Sequence, residues 1–199
     1  LEWNNPGTIG NLTPGGKILA SLFQSVTLRT AGFASFNQDA LTEASKLLSN
    51  ILMFVGGSSG STAGGVKTVT MGLVVLSAVS TMRGRRQVTV FRRSISQQDI
   101  SNAVSVALLV LGLSLFGAAV LTVCDRCSFL NAIYETTSAL CTVGLTTGIT
   151  GTLCAASKLI LIVFMFFGRV GIMTIGVGFM MGDRARERVQ YAETKVMIG

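Results

Sequence analysis

Between Ala103 and Cys124 the chain runs for 22 residues without a charged side chain. A helix of that length, rising 1.5 Å per residue, covers the roughly 30 Å of hydrocarbon in a bilayer. A second apolar stretch, Ser157 to Met181, carries Lys158 at its edge and one interior charge, Arg169. Charged residues make up 13 % of the chain, against about 25 % in an ordinary soluble domain. The expected fold class is therefore an all-α membrane protein. The opening Leu1-Glu2-Trp3-Asn4 has neither Met nor a basic n-region, so the expectation is a fragment whose beginning lies upstream.

The distribution of the net charge of +7 argues against nucleic acid as a partner. Arg83, Arg85, Arg86, Arg92 and Arg93 fall in one short loop, and Arg184, Arg186, Arg188 and Lys195 fall in the tail. Both clusters flank apolar spans, which the positive-inside rule places in the cytoplasm. Three crossings fit. Residues 40–82 run inward with an interruption, 98–123 run outward, and 157–181 run inward again. The N-terminal end is then outside and the C-terminus cytoplasmic, with both basic segments on one face of the cell membrane.

Two T-x-G runs stand in matching contexts. Thr30-Ala31-Gly32-Phe33 follows a short helix-like piece at 17–27, and Thr142-Val143-Gly144-Leu145 follows another at 131–139. Each precedes an apolar segment. A short helix leading into such a run, at membrane depth, is how a re-entrant ion filter is built. Four loops aim backbone carbonyls at one axis and replace the ion's water shell. Glycine permits the dihedrals this needs, and the short helix points its negative end at the ion. The expected filters are 28–35 and 140–148. Glu135, on the second short helix, either adds negative potential near the outer mouth or caps local amides.

The interruption in the first crossing reads Gly56-Gly57-Ser58-Ser59-Gly60-Ser61-Thr62-Ala63-Gly64-Gly65. Helix propensity collapses there. Broken backbone at membrane depth is tolerated where protein buries it or where it lines a watery cavity, so the expectation is a loop facing the conduction path. A phosphate-binding loop is excluded by Val66, which separates Gly65 from Lys67. Gly57-Ser58-Ser59-Gly60 also fits an intramembrane serine protease, whose nucleophile needs a base. The chain has no His, and a Ser59→Ala substitution tests that reading. A flexible break without a gating role is the third alternative. Arg169, in Gly168-Arg169-Val170-Gly171, ties its span to carbonyls or a carboxylate, or sets a positive barrier to cations just inside the filter and anchors the Gly/Ser loop, and the two roles are compatible. Cys124 and Cys127 form a C-x-x-C without a thioredoxin-like context. A disulfide involving Cys124, Cys127 or Cys154 and plain apolar filling both stay open.

These segments resemble the Ktr/Trk/HKT superfamily of potassium transporters. The resemblance covers nearly the whole chain. It rests on Phe23-Gln24-Ser25-Val26-Thr27 leading to Arg29-Thr30-Ala31-Gly32-Phe33, on the Gly/Ser run continuing through Val66-Lys67-Thr68, on Thr142-Val143-Gly144-Leu145 and on Gly168-Arg169-Val170-Gly171. The end, Lys195-Val196-Met197-Ile198-Gly199, looks most like membrane subunits of the Ktr branch. The resemblance implies four helix–pore loop–helix repeats around a pseudo-fourfold pore. Residues 1–96 then form the third repeat without most of its first helix, 97–182 the fourth, and 183–199 a cytoplasmic tail, with repeats one and two missing. It implies that Gly32 and Gly144 are filter glycines, that residues 56–65 gate below them, and that Arg169 lies beneath the pore. It implies gated K⁺ uptake, typically Na⁺-dependent, no organic cofactor in this chain, and no enzyme activity. It further implies a homodimer in the lipid bilayer, resting on a cytosolic nucleotide-binding RCK-type regulatory subunit of the KtrA or TrkA kind. A Trk-type subunit and a non-conducting scaffold subunit are the other readings. Leu28 stands where the family often has Pro, and Cys141 precedes the fourth filter.

Overall fold

Helix α1, Pro14–Thr27, begins three residues earlier than the sequence suggests. Thr13 caps it by accepting from the Gly16 N–H, and Pro14 occupies the first turn, where its missing N–H costs nothing. The computed structural model describes residues 1–61, 63–84, 88–90 and 93–171. Five further α-helices come after it: α2 Glu43–Phe54, α3 Thr68–Met82, α4 Gln97–Asp125, α5 Phe129–Leu140 and α6 Ala155–Val170. Single 3₁₀ turns stand at Gln38–Ala40 and Ile149–Gly151. A two-residue antiparallel ladder pairs β1, Thr89–Val90, with β2, Arg93–Ser94.

Among the described residues α4 is the helix long and apolar enough to cross a membrane by itself. Ser96 caps it and Asp99 lies in its first turn, where negative charge suits the helix dipole. It exposes Leu108, Leu109, Leu111, Leu115, Phe116 and Val123, and apolar side chains on several faces suit surroundings that are themselves apolar. The described part of α6 ends at Gly171, whose positive φ of 93° closes the helix. The remainder of the second apolar stretch, the basic tail, and Arg85, Arg86 and Arg92 lie outside the described residues.

Helix α5 is the centre of the packing. Eight of its 12 residues are buried, among them Glu135, Thr136, Thr137 and Ser138. A polar helix can be buried only when its side chains are paired. Thr136 donates to the Ser114 carbonyl of α4 at 3.1 Å. Helices α2, α4 and α6 surround α5, and α3 packs on α4. Gly117 lets Phe164 of α6 lie against α4, since a Cβ there would come within 2.4 Å of the ring. At one end of this pair, Asp125 accepts from the Cys154 N–H at 2.6 Å and from the Ser157 hydroxyl. It thereby joins the end of α4 to the start of α6. The four cysteines are free thiols. Helix α1 buries only Thr27 and leaves Ile18, Leu19, Leu22, Phe23 and Val26 exposed.

The start of α2 is held by Glu2. Its Oε1 accepts from the Thr42 N–H at 3.0 Å and the Thr42 hydroxyl at 2.6 Å, and its Oε2 accepts from Asn5 at 2.6 Å. Partial burial alone would raise the carboxyl. Hydrogen bonds from Ser45, Thr42 and Asn5 outweigh it and lower the pKa from 4.5 to about 2. The folded value lies below the unfolded one. The cap's contribution is therefore complete above pH 4.5 and is lost as pH falls towards 2. Amides in the first turn of α2 are expected to lose protection through that window, measured by hydrogen exchange corrected for intrinsic rates. A Glu2→Gln chain should show no such pH dependence, and equal curves for the two proteins would remove the carboxylate from the cap.

Candidate functional site

Each T-x-G loop begins where a short helix stops. In the first, Thr30 has φ 70° and Gly32 φ 77°; in the second, Thr142 has φ 54° and Gly144 φ 91°. The residues between them, Ala31 and Val143, have ordinary negative φ, since neither is among the positive-φ positions. Alternation of φ sign departs from a regular strand, whose φ is negative throughout. A threonine held at positive φ is strained, by about 1–3 kcal/mol, and such strain gathers at functional sites. The described residues include one other non-glycine residue with positive φ, Arg126.

The helices also brace these loops from behind. The Ala31 and Gly32 N–H groups donate to the Thr27 carbonyl at 3.1 and 3.2 Å, and the Val143 N–H donates to the Ser138 carbonyl at 2.9 Å. The Thr27 hydroxyl donates to the Phe33 carbonyl at 2.7 Å, and the Ser138 hydroxyl to the Leu145 carbonyl at 2.6 Å. Each of those carbonyls keeps a second lone pair. Val143 and Leu145 are buried, whereas Phe33 is 70 % exposed.

The two loops meet. A Cβ on Gly32 would lie 2.1 Å from the Val143 oxygen and 3.5 Å from the Gly144 Cα. Glycine at position 32 therefore serves two needs, a left-handed φ and the approach of another backbone. On the far side, Gly168 of α6 lets that helix touch the base of the second loop. A Cβ there would fall 2.0 Å from the Leu140 oxygen and 2.9 Å from the Thr142 Cγ2. Arg169 is the next residue, so the loop base and this cation are neighbours along α6. Arg169 itself is exposed.

The Gly/Ser run separates α2 from α3 and folds back on itself. The Gly56 N–H donates to the Val66 carbonyl at 2.9 Å, and the Val66 N–H to the Phe54 carbonyl at 3.1 Å. Ser61 turns the run by donating to the Ser58 carbonyl. Lys67 donates to the carbonyls of Ser61 and Ala63. Gly57 and Gly65 also allow close packing, against Ala63 and Cys141 respectively. Ser59 and Gly60 are exposed at the tip, and Thr62 lies outside the described residues.

Both ends of this run are fastened to the T-x-G loops. Arg29, which precedes Thr30, donates through Nη1 to the carbonyls of Val55 at 2.7 Å and Gly56 at 3.3 Å. At the other end the Gly64 N–H donates to the Thr142 hydroxyl at 3.0 Å. Gly64 sits so close under the second loop that a Cβ would lie 2.6 Å from the Cys141 oxygen. These two fastenings escape a reading of the sequence. The signal that could have pointed to Arg29 is its position, a cation directly before an apolar loop, twelve residues beyond Lys17, the one charge of α1.

Beyond the second loop, Glu135 is 5 % exposed. It accepts from the Thr146 hydroxyl at 2.6 Å, from the Thr147 N–H at 2.9 Å and hydroxyl at 3.1 Å, and from the Thr150 hydroxyl at 2.9 Å. It caps a local amide and three hydroxyls together. The described residues bring no His/Cys/Asp/Glu group together that could hold a metal ion through side chains. The oxygen that the structure places at the meeting point is main chain, the Val143 carbonyl beside Gly32, and main-chain carbonyls are ligands suited to an alkali cation.

A model of the family described as TrkH, cation transport protein, matches residues 4–186. The Ktr system potassium uptake protein B of Bacillus subtilis (strain 168) is 39 % identical over 199 residues, which is 100 % of this chain and 44 % of that protein. The protein of the same name from Vibrio alginolyticus is 33 % identical over 199 residues, 100 % of this chain and 43 % of its own length. The potassium/sodium uptake protein NtpJ of Enterococcus hirae is 35 % identical over 188 residues, 92 % of this chain and 42 % of that protein. The chain thus spans less than half the length of these relatives.

Proposed function

The chain belongs to the TrkH family of cation transport proteins, and from that premise we propose that it is the pore-forming half of a gated potassium uptake system of the Ktr type. The observation that carries the reading is the meeting of two strained T-x-G loops at Gly32 and Val143. In this reading Thr30, Ala31, Gly32 and Phe33 and Thr142, Val143, Gly144 and Leu145 supply two walls of a K⁺ filter. Two further loops, from repeats one and two, complete it. Residues 56–65 close the path beneath the filter, and Arg169 stands below as a fixed positive charge.

The path is passive. A K⁺ ion exchanges water for carbonyl oxygens, and the sites bind well enough to admit it and weakly enough to release it. Movement of the Gly/Ser run opens the way, which its glycines permit. The chain crosses the cell membrane several times, with its N-terminal end outside and the tail in the cytoplasm. The basic segments then face anionic lipid and an RCK-type regulatory subunit, KtrA- or TrkA-like, which binds any nucleotide. The whole assembles as a homodimer. Na⁺ is proposed as a coupling ion, in keeping with the Enterococcus relative, a potassium/sodium uptake protein.

The test is Rb⁺ uptake into proteoliposomes holding the full-length transporter, with and without Na⁺, compared with a Gly144→Asp variant. Uptake lost in a folded variant places Gly144 in the cation path, and stimulation by Na⁺ supports the Ktr branch. Absence of Rb⁺ uptake by well-folded wild-type protein supplied with its regulator would sink the reading.

A further inference from the structure

Residues Asn131, Tyr134 and Glu135 lie at spacings of three and four on α5, which places them on one face of the helix, spanning about 100°. That face reaches the segments by which the chain leaves both T-x-G loops. Tyr134 is fully buried and donates its hydroxyl to the Gln38 side-chain oxygen at 3.1 Å. Gln38 in turn donates to the Phe36 carbonyl at 3.0 Å and accepts from Gln24 of α1 at 2.6 Å. Through this amide the tyrosine holds the exit of the first loop. One residue on, Glu135 holds the exit of the second loop through Thr146, Thr147 and Thr150. Asn131 adds a contact to the first side, accepting from Lys46, which also pairs with Asp39 at 3.1 Å.

The two exits are fastened by different chemistry. The position ahead of the first T-x-G loop that corresponds to Glu135, 112 residues earlier, is Phe23, an exposed apolar residue. At Gln38 the first exit is thus held by neutral groups, with the Lys46–Asp39 pair beside them, and the second exit by a carboxylate with four donors. Both fastenings share one rigid helix, so the distance between the exits is set by α5 and not by either loop.

We propose that Tyr134 and Glu135 are a positioning pair that fixes the outer ends of the two loops relative to one another, and that discrimination between alkali cations depends on it. The inference rests on the transporter reading above and deepens it. Carbonyl oxygens distinguish cations by the cage they form and by how readily it deforms. A cage wall released at its outer end accommodates the smaller, more strongly hydrated ion more easily. Neither side chain touches the ion, so the effect is on selectivity and not on the presence of a path.

Glutamine at position 135 separates the framework from the charge. Its oxygen can accept the three bonds that Oε1 accepts from Thr146 and Thr147. Its amide nitrogen can donate to the Thr150 hydroxyl, which is able to accept. Alanine removes all four.

The experiment measures Rb⁺ uptake against competing Na⁺ in proteoliposomes of the full-length transporter, for wild type, Glu135→Ala, Glu135→Gln, Tyr134→Phe and Thr150→Ala. The Rb⁺/Na⁺ preference is expected to fall at least about tenfold in Glu135→Ala, which loses four bonds, and roughly threefold in Tyr134→Phe, which loses one. Glu135→Gln should recover most of that preference. Preference unchanged in both Glu135→Ala and Tyr134→Phe, with uptake intact, would overturn the pair's role while leaving the transporter reading standing. Should Glu135→Ala fail to fold, Tyr134→Phe and Thr150→Ala decide the matter, and wild-type preference in both overturns it. Wild-type protein that takes up no Rb⁺ removes both readings together.

Discussion

A Gly32→Ala substitution is expected to abolish Rb⁺ uptake, and to do so more completely than Gly144→Ala. Both glycines have positive φ, 77° and 91°. An L residue at such a φ is strained by about 1–2 kcal/mol, which alone corresponds to roughly a tenfold loss if the strain is felt in the conducting state. The surroundings differ. A Cβ at position 144 would meet nothing nearer than the Gly32 Cα at 3.9 Å, whereas at position 32 it would lie 2.1 Å from the Val143 oxygen. That oxygen is main chain and belongs to the other loop, so no rotamer change relieves the overlap. One loop has to move, at a cost of about 1–3 kcal/mol more. The expected order is a loss of about tenfold for Gly144→Ala and more than about a hundredfold for Gly32→Ala, read as Rb⁺ uptake per folded transporter. Equal losses in the two variants would mean that the loops do not touch in the conducting form.

The second large effect is expected with the opposite sign. Gly64→Ala should raise resting Rb⁺ uptake, because a Cβ there would lie 2.6 Å from both the Cys141 oxygen and the Thr142 Oγ1. The Gly/Ser run then no longer fits beneath the second loop. Thr142→Val removes only the acceptor of the Gly64 N–H and keeps the backbone carbonyl. One hydrogen bond of about 0.5–1.5 kcal/mol shifts an open–closed balance by roughly two- to tenfold, so Thr142→Val should give the smaller increase. Gly64→Ala should exceed about tenfold, since close packing and the bond are lost together. Influx measured without activating nucleotide checks both. Unchanged influx in folded Gly64→Ala protein would show that residues 56–65 do not close the path.

What could be read from the sequence was local. The charge-free run ending at Cys124 identifies a long apolar helix because it depends on consecutive residues. The paired T-x-G runs stand out because glycine and threonine recur at one spacing after short helices, and the backbone adopts the same φ signs in both. The Gly/Ser run declares a helix break through its propensities. The start of α1 was obscured because Pro14-Gly15-Gly16 has the composition of a loop, yet Thr13 and Pro14 together form a helix start. The fastenings were not legible. Arg29 meets Val55 across 26 residues, Gly64 meets Thr142 across 78, and Tyr134 meets Gln38 across 96. No periodicity spans such separations. Glu135 was conspicuous as a charge in a short helix, but its four donors come from a loop that only the fold brings back.

The carboxylate of Asp125 has a mechanical consequence. By bonding the first residues of α6 it fastens that helix to α4 at the Cys154 end, which makes the tie a pivot for tilting of α6. The described part of α6 is 16 residues, about 24 Å at 1.5 Å per residue. A tilt of about 5° about the pivot carries the far end about 2 Å and the tied end almost nothing. Gly168, whose Cα abuts the base of the second loop, rides near the moving end. A push delivered to the far end of α6 would therefore reach the loop base nearly undiminished, while the surface at the pivot stays still.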